Sequence, residues 1–178
     1  MNDMTATNNF GTAIAPDTVR LERVLPGPVE RVWDYLVDPD KRSRWFAGGS
    51  LEPRKGGKSV LLFDHDKLSD ESYPADYAGF KGKSFTGTVL VYDPPRALGY
   101  TFEDGGSEVL FELAPKGKDT LLVVTHRKVA SRGDMVGFSS GWDTHVGILA
   151  DLLAGQKPRG FWSTHRTLQK EYEKRIAA

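Results

Sequence analysis

Two hydrophobic rhythms divide the chain. Val19 and Leu21 alternate with Arg20 and Glu22, the period of a half-buried strand, and ordered structure is expected to begin near Asp17. Behind Pro28, the residues Val29, Val32, Trp33 and Leu36 recur at helical spacing. Asp38-Pro39 marks a second capped helix start, which leads through a basic turn into Trp45 and Phe46. From Lys58 the chemistry turns to strands: Val60 to Phe63, Phe85 to Tyr92, Ala97 to Phe102, Ser107 to Leu113 and Thr120 to His126. The connections Asp93-Pro94-Pro95, Asp104-Gly105-Gly106 and Pro115-Lys116-Gly117-Lys118 are too short for helical crossovers, so the sheet is expected to be antiparallel. Asp64 to Gly82 is a longer polar insertion with Tyr73, Tyr77 and Phe80, and is read as a possible lid. Helical spacing returns over Asp134 to Ala154 and ends at Gly155. A last helix after Pro158 places Phe161, His165, Leu168 and Tyr172 on one face.

This pattern predicts an α+β fold in one domain over residues 17–178, preceded by a flexible polar leader over 1–16. Composition narrows the function classes. Lys and Arg together number 24, as do Asp and Glu, so no whole-molecule field draws in nucleic acid or an anionic membrane. Cysteine is absent, which removes thiol nucleophiles, thiolate metal sites and disulfides, and fits a cytoplasmic setting. No signal-peptide pattern opens the chain, and no apolar stretch is long enough to span a bilayer.

The order strand, two short helices, antiparallel strands and long helix resembles the START-like, birch-pollen-allergen-like (SRPBCC) superfamily with its helix-grip fold. Val32-Trp33-Asp34, Asp38-Pro39 and Arg44-Trp45-Phe46 look like the opening signature of the family of homologues of the activator of heat shock protein 90 ATPase. Later segments agree, among them Asp93 to Leu98, Ser107 to Leu113, Thr125-His126-Arg127, Gly141-Trp142 and Phe161-Trp162. The resemblance covers nearly everything after Asp17. It implies a curved antiparallel sheet wrapped around a long C-terminal helix, with an apolar ligand cavity between them. The eukaryotic activator has an additional N-terminal chaperone-binding domain for which this chain has no room, so the resemblance does not carry a chaperone partner over.

Alternation on the strands and the helical stripe place Leu98, Tyr100, Phe102, Phe111, Val124 and His126 on the sheet side of that cavity, and Trp142, His145 and Leu149 on the helix side. Tyr100, His126 and His145 are the polar candidates, and the two histidines read better as hydrogen-bonded core or rim groups than as catalytic ones. Gly137-Phe138-Ser139-Ser140-Gly141 matches the G-x-S-x-G of hydrolases, but it follows no buried parallel strand, and its glycines are read as shaping the start of the helix. Gly57-Lys58-Ser59 and Gly82-Lys83-Ser84 lack the leading glycine of a phosphate loop, which would fall at Glu52 and Tyr77. Asp64-His65-Asp66 is read as a polar turn, not a cation site.

Neither a catalytic residue, a metal site nor a cofactor is therefore assigned. The expected function is binding of a small hydrophobic molecule. A polyketide cyclase-like or hydrolytic enzyme using the same cavity, and a co-chaperone-like protein, are the alternatives. One expectation concerns assembly: Leu90, Tyr92, Leu110, Leu121 and Val123 fall on the outer register of the sheet, so a homodimer, or the last helix folded back, is expected to cover them.

Overall fold

The computed structural model describes residues 10–177. Seven strands form a sheet in which every neighbouring pair is antiparallel: β1 (Thr12–Ala15), β2 (Thr18–Leu25), β3 (Lys58–Leu62), β4 (Ser84–Asp93), β5 (Ala97–Phe102), β6 (Ser107–Lys116) and β7 (Asp119–Arg127), in the order β1-β2-β7-β6-β5-β4-β3. Helices α1 (Val29–Val37) and α2 (Pro39–Ser43) follow β2, and α3 (Arg132–Leu153) and α4 (Phe161–Arg175) close the chain. This is the α+β helix grip that the sequence predicts.

Local chemistry explains the element ends. Asp38 accepts from the main-chain N–H groups of Asp40 and Lys41, so α2 begins where the Asp-Pro pair predicts. The long helix starts earlier than its apolar stripe does, because Ser131 caps it by accepting from Asp134 N at 3.1 Å. It ends as expected at Gly155, whose φ of 70° is the left-handed value that glycine adopts without strain.

Three readings are revised. The leader was expected to run through residue 16, yet Thr12–Ala15 pairs with β2 as an edge strand, turning at Pro16-Asp17. The rest of that leader, residues 1–9, lies outside the described residues. Tyr92 was placed on the outer face with Leu90, but a bulge between Val89 and Val91 shifts the alternation, so that Tyr92 turns inward to pack edge-on against Trp33 at 5.7 Å. The last helix does not fold over the outer face. It packs on α3, where Phe161 meets His145 at 4.9 Å and the Tyr172 hydroxyl donates to Asp143 at 2.7 Å. On the outer face, half-buried Leu110, Leu121 and Val123 are interleaved with Glu22, Glu108 and Glu112.

The core lies between the concave sheet face and α1, α2 and α3. Leu98, Tyr100, Phe111, Leu122, Val124, Val146 and Leu149 are each 2% exposed or less. Burying an apolar side chain of this size contributes about 1.5–3 kcal/mol. Arg42 is the exception in kind: it is 1% exposed, and its guanidinium donates to the main-chain oxygens of Ala47, Gly48 and Gly49. Those bonds pair Nε and Nη2 of the buried cation, while Nη1 has no partner among the described residues, and they fix the turn that delivers Trp45 and Phe46 to the core.

Candidate functional site

Toward one end of the grip the packing opens into a cavity of about 240 Å³. Phe46, Phe63 and Phe102 wall it from the turn and the sheet, while Phe138, Trp142 and His145 wall it from α3. The third wall comes from two segments that sequence reasoning left outside the site: His65, Tyr77 and Phe80 from the insertion, and Phe161, Trp162 and His165 from α4. Exposed Glu103 and Asp134 and half-exposed Gln169 stand on the rim. Partial burial, with the nearby Asp134 carboxylate adding to it, raises the pKa of Glu103. Glu103 and Asp104 both take left-handed backbone angles, φ 51° and 57°, which are uncommon for residues with a Cβ.

The helix side is open because of two glycines. Gly137 and Gly141 lie four residues apart on one face of α3, and a Cβ built on either meets nothing within 4 Å. The G-x-S-x-G motif is therefore a cavity-forming device. Ser139 sits in mid-helix, buried and with no hydrogen-bond partner among the described residues, so it lacks the adjacent base of an activated nucleophile there.

The insertion is sewn to the start of α4. Ser69 Oγ accepts from Phe161 N at 2.9 Å, and Glu71 Oε1 accepts from Ser163 N at 2.9 Å, supplying the cap that Gly160 cannot. A Cβ on Gly160 would come within 2.5 Å of the Glu71 carboxylate, which explains the glycine there. Tyr73 and Tyr77 lie tilted against Trp162, with ring centroids at 5.1 and 4.9 Å. Residues 64–82 thus form a wall, with short 3-10 turns at His65–Lys67 and Ala75–Phe80.

Of the residues that the sequence assigns to the cavity, Phe102, Trp142 and His145 line it. Leu98, Tyr100, Phe111, Val124 and Leu149 lie deeper, in the closed core, where Trp45 packs edge-on against Phe111 at 6.4 Å. His126 is fully buried behind the cavity wall. It accepts from Trp142 Nε1 through Nδ1 at 2.9 Å, so its proton sits on Nε2 and is donated to Ser107 Oγ at 2.7 Å. Its ring stacks on Phe138 at 4.0 Å. Burial lowers its pKa to about 3, and with both nitrogens satisfied it holds the wall in place.

His145, His65 and His165 differ from His126 in facing the cavity. Burial pushes all three below the ordinary imidazole range, His65 to about 4, and each is held neutral. His145 bonds Trp45 O at 2.8 Å, and His65 bonds the Tyr73 hydroxyl at 2.7 Å. His165 Nδ1 and Trp162 Nε1 are buried within the packing of this wall and have no hydrogen-bond partner among the described residues. Among the described residues no group of three or more His, Asp or Glu side chains is placed to hold a metal ion. Nor is any described helix long and apolar enough to cross a membrane.

Comparison with known proteins places this architecture. A solution structure of a Bordetella parapertussis protein, encoded by gene BPP1335, is 41% identical over 96% of this chain and 92% of its own, with a TM-score of 0.81. CalU16 from Micromonospora echinospora shares the fold at 21% identity, covering 90% of this chain and 89% of its own, with a TM-score of 0.67. DynU16, a putative protein in the dynemicin biosynthetic locus, shares it at 24% identity and a TM-score of 0.63, over 83% of this chain and 51% of its own. No curated protein matches the chain. Residues 26–154 match the family model described as Activator of Hsp90 ATPase homolog 1-like protein, and the chain belongs to that family.

Proposed function

We infer that this protein binds one small, neutral, mainly apolar molecule in the cavity between the sheet, α3, the insertion and α4. The observation that carries this reading is a cavity of about 240 Å³ whose wall is largely aromatic, with the imidazoles of His65, His145 and His165 among its lining residues. Ligand sites are typically apolar with a few convergent polar groups, and an apolar cavity of about 150 Å³ already accepts benzene. A ligand of two fused rings fits the larger volume. Charged ligands are disfavoured because the cavity histidines are neutral and no ionised side chain lies deep in the wall.

Native mass spectrometry of protein purified from its own host tests the reading. A retained small molecule, released on denaturation and lost from a variant with the cavity filled, is the expected result. Apoprotein that takes up no apolar aromatic compound at saturating concentration would contradict it.

A further inference from the structure

Two imidazoles on the cavity wall are held in opposite proton arrangements. His145 Nδ1 lies 2.8 Å from the main-chain oxygen of Trp45. A carbonyl oxygen only accepts, so Nδ1 carries the proton and Nε2 presents a lone pair. On His65 the pattern reverses. The Tyr73 hydroxyl oxygen accepts from the main-chain N–H of His65 at 2.8 Å and also lies 2.7 Å from His65 Nδ1. The arrangement that uses the Tyr73 hydroxyl as both acceptor and donor has its O–H donating to Nδ1, which puts the imidazole proton on Nε2. The two rings are 5.5 Å apart between centroids and only 4% and 6% exposed, and neither Nε2 has a protein partner among the described residues.

Building on the cavity reading above, we propose that His65 and His145 are a matched donor–acceptor pair that selects a neutral aromatic molecule bearing a hydroxyl. The hydroxyl accepts from His65 Nε2–H and donates to His145 Nε2. A phenolic or enolic hydroxyl does both with one oxygen. An ether or ketone leaves the His145 lone pair unpaired among aromatic rings, a carboxylate cannot donate, and an ammonium cannot accept. The rings that flank the pair, Phe63 stacked near His65 and Phe161 against His145, supply the apolar slot for the rest of the molecule.

Naphthalene, 2-methoxynaphthalene and 2-naphthol, titrated separately into isotopically labelled protein, test the pair. Imidazole nitrogens are read by long-range ¹H–¹⁵N correlation. The expected result is that 2-naphthol binds roughly three- to tenfold more tightly than 2-methoxynaphthalene, the worth of one added hydrogen bond. In free protein the His65 proton should be on Nε2 and the His145 proton on Nδ1. The preference should collapse toward one in His145→Leu, and Tyr73→Phe should release the His65 tautomer even if His145→Leu folds poorly. Equal binding of all three compounds, or the same tautomer on both histidines, would overturn the pair and leave the cavity reading standing. No binding of any compound would overturn both.

Discussion

His145 Nδ1 donates across 2.8 Å to the main-chain oxygen of Trp45, joining residues 100 positions apart at the inner end of the cavity. Trp45 is itself held by its indole N–H, which donates to Tyr35 O at 2.8 Å, and by the turn that Arg42 clamps. The orientation of a cavity imidazole is thereby fixed by the Arg44-Trp45-Phe46 segment, whose last residue, Phe46, lines the same cavity.

The glycines of α3 give the most selective way to close the site. Gly141→Ala should raise stability by up to about 1 kcal/mol, since Ala is the better helix former and the added Cβ meets open space. Gly141→Leu should fill the cavity and abolish uptake of naphthalene while thermal unfolding stays cooperative. Calorimetric unfolding and ligand titration on both variants check this; retained affinity in Gly141→Leu would place the ligand elsewhere.

His126→Ala should act on folding rather than recognition. It strands the Trp142 indole N–H and the Ser107 hydroxyl, and removes a ring stacked on Phe138. A loss of about 2–4 kcal/mol is expected. Urea unfolding measures it, and a change below about 0.5 kcal/mol would show that the network is dispensable.

How far the site was legible follows from these residues. Alternation and helical spacing identified the sheet, α3 and the inward face that carries Phe102, Trp142 and His145. They could not separate a closed core from a cavity, because Leu98 and Phe102 share one strand face, yet only Phe102 lines the cavity. His65, Trp162 and His165 were missed as a group because a loop insertion and a terminal helix meet through side-chain caps, Ser69 and Glu71, that carry no periodic signal. Two glycines four apart on an amphipathic helix were the overlooked clue.

Acid should destabilise the fold. All four histidines have lowered pKa values in the folded protein, chiefly through burial. Below about pH 6.5 the unfolded chain binds protons that the folded one refuses, so stability present above that pH is lost as pH falls toward about 4, where His65 is half protonated. Each histidine contributes a slope of up to about 1.4 kcal/mol per pH unit in that window. Unfolding free energies measured from pH 7.5 to 4.5 should fall steadily; a flat profile would refute the neutral, buried histidines.

Glu71→Ala should loosen the wall between the insertion and α4. Loss of its cap on Ser163 N is expected to cost about 1 kcal/mol and to speed amide exchange in residues 64–82 and in the first turn of α4. Hydrogen-exchange mass spectrometry resolves those segments from β6 and β7, whose exchange should stay unchanged. Uniform acceleration would instead indicate global destabilisation.

The central claim, an aromatic cavity that holds a small apolar molecule, is tested most directly by the four indole N–H signals of the protein. Trp142 and Trp162 line the cavity, whereas Trp33 and Trp45 do not. On titration with naphthalene, the Trp142 and Trp162 signals should shift saturably with one common affinity, while Trp33 stays in place. Four unmoved signals, or four that drift together without saturating, would contradict the account.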